Sequence, residues 1–220
     1  MEEKYVSVVI PARNEQKTIV NVLRIVSNHK NVNQIIVVDN NSTDNTSELA
    51  KKAGADVVFC ANQGKGYAME AGLKEVKNKI VTFIDADIDN YSKDVIEILI
   101  QPLLNDEADF VKSMFERTGG RVTELVAKPL LDITYPEIYK FSQPLSGMIA
   151  GKTEFFKKIK FEKDYGVDIG IVLDMINLNA RITEVSIGKI KNSSRSWKGL
   201  DKMSSEVMSA IIKRAKMKEV

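Results

Sequence analysis

The sequence predicts an α/β domain on a mostly parallel sheet, and three observations predict it. Short runs that are apolar on both faces alternate with amphipathic helical segments through residue 104, polar or glycine-bearing turns separate them, and one run ends in two carboxylates. Tyr5 to Ile10 is β-branched and closed by Pro11, while Glu15 to Asn28 places Ile19, Val22, Leu23 and Val26 at helical spacing. Gln34 to Asp39 is a second strand, after which Ser42-Thr43-Asp44 caps a helix carrying Leu49 and Ala53. Val57 to Phe59 is the third strand, within a stretch from Ala55 to Cys60 that reads as buried. The turn Gln63-Gly-Lys-Gly66 and a helix from Tyr67 to Lys77 follow it. Ile80 to Ile84 is the fourth strand and Asp94 to Leu104 a further helix. Then the pattern changes to a strand from Asp109, a Gly119-Gly120 loop, a helix through Leu125 to Leu131 and mixed shorter elements. A parallel sheet covered on both sides binds ligands at the carboxyl ends of its strands, so the first half has a nucleotide-binding layout.

At 220 residues the chain suits one domain with additions, and no repeat, low-complexity tract or linker divides it. With 44% hydrophobic and 28% charged residues and a net charge of +2, it is ordinary globular protein, and the charge balance argues neither for nucleic acid nor for a strongly anionic membrane, a claim that local charge would have to carry. Cys60 is the only cysteine, which excludes an intrachain disulfide and fits a reducing compartment. Met1-Glu-Glu-Lys4 runs straight into a strand with no signal-like apolar core, and no run reaches the length of a bilayer span, so the expected location is cytoplasmic.

Asp85-Ala-Asp87 follows the fourth strand directly, and extended geometry would project both carboxylates to one side. A hard cation such as Mg2+ or Mn2+ takes one or two carboxylates and completes its shell with water and substrate phosphates. Held against a diphosphate, it offsets the charge that develops as a sugar departs. The plainer alternative is that acidic residues only end a strand and begin a helix, with Asp89 or Asn90 as cap.

Four motifs in order, Val9-Ile-Pro-Ala-Arg-Asn-Glu15, Val37-Val-Asp-Asn-Asn-Ser-Thr-Asp-Asn-Thr46, Gly64-Lys-Gly66 and Asp85-Ala-Asp87, resemble family 2 glycosyltransferases of the GT-A fold. Three later segments, Gly119 to Leu131, Gln143 to Gly147 with Ala150-Gly151, and Tyr165 to Gly170, resemble the acceptor side of glucosyl-3-phosphoglycerate synthases. The resemblance implies one GT-A domain over 1–220, with a Rossmann-like nucleotide-sugar half (1–108), an acceptor half (109–199) and a C-terminal amphipathic helix (200–220). It implies transfer of a hexose from a nucleotide diphosphate sugar, UDP-glucose first among the donors, to a small phosphorylated acceptor such as 3-phosphoglycerate, with retention at the anomeric carbon. By motif, Pro11, Ala12, Asn14, Glu15, Asp39 and Asn40 would hold the nucleoside and Lys65 the diphosphate. Asp85 would face the sugar or ribose, Asp87 the metal, and Tyr165 and Asp168 the sugar pocket. Gly120, Arg121 and Thr123 would bind the acceptor phosphate.

The residue chemistry agrees. A Gly-Gly loop entering a helix frees backbone N–H groups for an anion, Arg121 adds a planar fork of donors and Thr123 a hydroxyl. An ordinary turn and a solvated arginine are the bland alternative. Lys65 between two glycines can bring a point charge to an oxyanion, although a helix-starting turn explains the same glycines. Asp168 lies in an otherwise apolar stretch, which suits a buried functional carboxylate; a helix N-terminal aspartate is the dull reading. One departure stands out. The synthases follow a Leu-Gly stretch with a metal-ligating histidine, whereas here Ile187-Gly188 leads to Asn192, whose carbonyl oxygen suits Mg2+ but is weaker than imidazole for softer metals. His29, the only histidine, is expected at the surface of the first helix.

From Leu200, Met203, Val207, Ile211 and Ala215 recur every four residues ahead of a basic last turn, an amphipathic helix that packs on the domain or on a second subunit, making a homodimer. The sharper alternative is a membrane-surface helix serving a polyprenyl-phosphate hexosyltransferase. A basic run from Lys189 to Lys198 could close over the donor as a flap. Nucleotidyl transfer is the rival chemistry, but its glycine-rich opening after the first strand is absent; a non-catalytic sugar-nucleotide sensor is the other, since Asn192 replaces a ligand.

Overall fold

In a computed structural model, residues 5–116, 120–138, 140–191 and 200–218 are described. The first half runs β1 (Val6–Ala12), α1 (Ile19–Ser27), β2 (Val32–Asp39), α2 (Thr46–Lys52), β3 (Asp56–Phe59), α3 (Lys65–Lys74), β4 (Ile80–Phe83) and α4 (Val95–Leu104). The second runs β5 (Phe110–Glu116), a π-helical turn (Thr123–Ala127) continuing into α5 (Lys128–Thr134), β6 (Ile149–Lys152), α6 (Thr153–Phe156), α7 (Val167–Asn177), β7 (Ile182–Lys189) and α8 (Leu200–Lys218).

Among the described residues seven strands join one sheet in the order β3-β2-β1-β4-β6-β5-β7. Pairing is parallel except at β6, which runs antiparallel to both β4 and β5. The second half of the chain therefore extends the sheet of the first. Apolar residues leave both faces and seal two helical layers. On one face Val8 and Ile10 pack with Ile19, Val22, Leu23 and Val26 of α1 and with Val95, Ile96 and Leu99 of α4. On the other, Val9, Val81 and Phe83 pack with Met69 of α3, Leu131 of α5, Ile171 and Val172 of α7 and Ile211 of α8. Each fully buried aliphatic side chain contributes about 1.5–3 kcal/mol relative to exposure, so this double burial holds the central strands rigid.

Several elements differ from the sequence reading. The Ala55–Cys60 stretch is not a buried strand: β3 is the sheet edge, where one side has no strand neighbour, so Asp56 and Phe59 are exposed and of its surroundings only Cys60 is buried. Pro11 does not close β1, because a proline fits extended backbone and pairing with β2 continues to Ala12. Helix α1 begins at Ile19 rather than near Glu15, since the Glu15 carbonyl oxygen takes the N–H groups of Thr18 and Ile19 in a preceding turn. His29 is largely shielded, its ring bridging α1 to Glu97 of α4 at 2.5 Å. Arg214, read as part of a basic helix end, is buried: it donates to Asp174 on α7 at 2.7 and 2.8 Å and to Glu162 at 2.8 Å. That network, with Val207, Ala210 and Ile211 buried, ties α8 to the domain rather than leaving it for a membrane surface.

Candidate active site

The strands β2 and β4 flank β1 on opposite sides, and the connections leaving them lie in opposite directions, so a crevice opens beyond the carboxyl ends of β1, β2 and β4. A cavity of about 740 Å3 occupies it. Pro11 and Ala12 line it at the end of β1 and Glu15 just beyond, Asn40 after β2, Gly64 and Lys65 at the start of α3, and Asp85 and Asp87 after β4. Gly120, Arg121 and Thr123 face them from the start of the π-helical turn, with Leu145 to Met148, Tyr165 and Asp168, and Lys202 and Met203 of α8. A π-turn inserts one residue into a helix and is a recurrent feature of functional sites. The expected helix through Leu125 to Leu131 is thus part π-helix and part α-helix.

Lys65 is the hub of the cavity floor. Its Nζ lies 2.9 Å from Asp85 Oδ1 and 3.0 Å from Asp168 Oδ2. Burial by itself would lower its pKa, but the charges of Asp168 and Asp85 prevail and raise it, so Lys65 stays a cation. Asp168 sits in the first turn of α7 with its side chain 8% exposed; burial pushes its carboxyl up against the opposing pull of Lys65, and its Oδ1 is buried without a hydrogen-bond partner among the described residues. Such an atom is prepared for a donor that arrives with a ligand. Two glycines make the arrangement possible. A Cβ on Gly66 would stand 1.6 Å from the Glu162 carbonyl oxygen, and one on Gly147 would stand 2.0 Å from Lys65 Nζ and 2.8 Å from Asp85 Oδ1.

The strand does not continue through the acidic pair. It stops at Phe83, and Ala86 and Asp87 form a turn, so the two carboxylates reach the cavity by a turn and not by strand alternation. Asp87 is exposed to the cavity, with Glu15 near enough that burial first and then the Asp87 charge raise the Glu15 carboxyl. Burial, followed by the charges of Asp85 and Asp87, likewise pushes the Tyr91 hydroxyl up; that hydroxyl donates to the Asp85 carbonyl oxygen at 3.1 Å. Glu15, Asp85 and Asp87 gather oxygen acids at one corner, chemistry that suits a hard divalent cation. Among the described residues no three His, Cys, Asp or Glu side chains are grouped to hold a metal by themselves, so such an ion would draw much of its shell from a diphosphate and water. Asn192, the other expected ligand, lies outside the described residues, as does most of the basic run that could form a flap.

Pro11, Ala12, Glu15, Asn40, Lys65, Asp85, Asp87, Gly120, Arg121, Thr123, Tyr165 and Asp168 thus come together around one cavity. Asn14 and Asp39 do not line it. Asn14, with φ 58°, accepts the Thr43 N–H through its side chain, and Asp39 accepts the Ser42 N–H at 2.9 Å, so both brace the loop that enters α2. Asn40 both faces the cavity and braces it, accepting the Gly64 N–H at 2.8 Å and donating to the Asn62 carbonyl oxygen at 2.6 Å. Sequence reasoning missed Gly147 as a site residue and Lys112 beneath the site. The signal for the first was a glycine closing Gln143-Pro-Leu-Ser, and for the second a lysine in the middle of an apolar strand.

Comparison with known proteins follows the same lines. Residues 7–164 match the family model for glycosyl transferase family 2. Glucosyl-3-phosphoglycerate synthase of Mycobacterium tuberculosis (strain H37Rv) is 35% identical over 237 residues, covering 95% of this chain and 73% of that protein. The crystal structure of the M. tuberculosis enzyme with Mn2+, UDP-glucose and phosphoglyceric acid superposes with a TM-score of 0.92 at 36% identity, covering 97% of this chain and 80% of the other. Its complex with Mg2+ and UDP also gives 0.92, at 35% identity and the same coverage.

Proposed function

We propose that this chain, which belongs to glycosyl transferase family 2, moves glucose from UDP-glucose to the hydroxyl of 3-phosphoglycerate with Mg2+ or Mn2+, and with retention at the anomeric carbon. The observation that carries this reading is a single cavity with an acidic corner after β4 on one wall and Gly120, Arg121 and Thr123 on the other. One wall suits a cation-borne diphosphate and the other a phosphate monoester, which is what a sugar nucleotide and a phosphorylated acceptor require. The likeness to an enzyme crystallised with UDP-glucose and phosphoglyceric acid supports the same pair of ligands.

In the reaction the bond from the anomeric carbon to the β-phosphate oxygen breaks, UDP leaves with the electron pair, and the acceptor oxygen takes the carbon on the face that UDP leaves, its hydroxyl proton passing to the departing β-phosphate oxygen. Asp87 would hold the metal, which when bound supplies Lewis-acid neutralisation of the diphosphate. Pro11, Ala12, Glu15 and Asn40 would hold the nucleoside. Lys65 would turn its ammonium to the diphosphate from a site already fixed by Asp85 and Asp168. Tyr165 and the Oδ1 of Asp168, which has no hydrogen-bond partner among the described residues, would receive sugar hydroxyls. Arg121, with the backbone at Gly120 and the Thr123 hydroxyl, would fix the acceptor phosphate far from the reacting carbon. The first 108 residues thus serve the donor and the later ones mainly the acceptor.

The same reading includes a cytoplasmic homodimer. The single free cysteine suits a reducing compartment, and no helix among the described residues is long and apolar enough to cross a membrane. Leu125, Ile133, Met208 and Ile212 are large apolar residues exposed on the π-turn, α5 and α8, where a second copy would cover them. Incubation of labelled UDP-glucose and Mg2+ with 3-phosphoglycerate or a polyprenyl phosphate tests the function, with proton NMR of the product for its anomeric configuration. Glucosylated phosphoglycerate of retained configuration is expected; label in the lipid alone, or in neither, refutes the reading.

A further inference from the structure

We infer that Lys112 is a positioning residue for the transfer: its ammonium, bonded to the Ser146 carbonyl oxygen, holds the Leu145–Gly147 wall of the cavity against the Lys65–Asp85 pair. This rests on the reaction proposed above.

Lys112 lies in the middle of β5, wholly buried, after Phe110 and Val111 of the core. Its Nζ donates to the Ser146 carbonyl oxygen at 2.7 Å. Around that bond the Ser113 and Ser146 hydroxyls share a hydrogen bond at 2.6 Å, and Met148 N–H donates to the Ser146 hydroxyl at 3.3 Å. The Ser113 N–H also donates to the Met148 carbonyl oxygen at 3.1 Å, so strand β5 grips residues 146 and 148 and fixes Gly147 between them. At Gly147 the clearance is nil, since even a methyl group there would meet Lys65 Nζ at 2.0 Å. A wall that close transmits any shift of Ser146 to the groups facing the donor.

The charges point the same way. Asp168 from α7, Glu184 from β7 and Asp85 after β4 attract the Lys112 ammonium, while Lys65 from α3 repels it. Burial outweighs them all and pushes its pKa down to about 8. One hydrogen bond does not return the cost of removing an ammonium from water, and an apolar side chain of similar length would fill the same space without that cost. Stability therefore does not account for the lysine, whereas a site that needs Ser146 held and a positive charge beneath two carboxylates does.

The test compares wild type with Lys112→Met and Lys112→Gln, measuring kcat, KM for UDP-glucose and for 3-phosphoglycerate, and the melting temperature. Lys112→Met is expected to melt at or above wild type while kcat falls about ten- to hundredfold, the effect of a displacement near 1 Å at a reacting centre, with both KM values within about threefold. A folded variant with wild-type kcat, or one changed only in KM, overturns the inference. If the methionine variant does not fold, the glutamine variant carries the same expectation; failure of both to fold makes Lys112 a structural residue and overturns it equally. A wild-type enzyme that transfers no glucose to 3-phosphoglycerate would instead refute the proposed function.

Discussion

Gly147→Ala is the sharpest single perturbation of the site. The added methyl group would meet Lys65 Nζ at 2.0 Å and Asp85 Oδ1 at 2.8 Å, where ordinary contact begins at 3.4 Å. The clash falls on the far end of a flexible side chain, so the backbone stands and the ammonium moves out by roughly 1.4 Å. That breaks the 2.9 Å pair with Asp85 and carries the cation away from Asp168. A misplacement of this size at a reacting centre costs about a hundredfold in rate, or about 3 kcal/mol of barrier. Because the pair lies at a cavity wall, with side chains 22% and 24% exposed, stability should change far less. Initial rates of glucosyl transfer with both substrates varied, beside a thermal melt, provide the readout. A Gly147→Ala enzyme with kcat within about twofold of wild type would show that the position of Lys65 does not govern the chemistry.

Asp87→Ala should abolish metal-dependent UDP binding in titration calorimetry while the circular dichroism spectrum is kept; binding that still responds to Mn2+ would place the metal elsewhere. Arg121→Ala should raise the KM for 3-phosphoglycerate about ten- to hundredfold, the worth of a charge-assisted hydrogen bond, and leave the KM for UDP-glucose nearly unchanged. Equal effects on both would remove Arg121 from the acceptor site. Arg214→Ala should cost about 1–3 kcal/mol in urea denaturation, because it leaves half-buried Asp174 without the buried cation that bonds it and leaves Glu162 with Lys213 alone; a loss below about 0.5 kcal/mol would contradict the network. Lys112 makes stability depend on pH. Its folded pKa is about 8 and its ordinary value 10.5, so between them the unfolded chain binds more protons and stability must rise with pH. Relative to Lys112→Met, wild type should gain about 3 kcal/mol across that window; a difference that stays constant would show that the lysine is not depressed.

Much of the fold and site was legible because its signals are local. Ile19, Val22, Leu23 and Val26 announce a helix face by spacing alone, and the run from Ile80 announces a buried strand. Motifs placed at successive strand ends converge once those strands are parallel, which is why Pro11, Asn40, Lys65 and Asp85 could be named together. Asn14 and Asp39 show the limit of that logic. They stand in the same motifs, yet their side chains turn to backbone N–H groups of the loop before α2.

By itself, then, the sequence determined the element types, the parallel character of the first sheet half and the residue types gathered at the strand ends, since periodicity and turn chemistry act over a few residues. Only the tertiary structure decided that β3 is an exposed edge, that Arg214 is buried, and that Lys65 is clamped between Asp85 and Asp168 under Gly147. Those outcomes depend on which strand lacks a neighbour and on contacts between residues tens of positions apart. Burial and charge pairing are properties of that surrounding space, which no local pattern in the chain encodes.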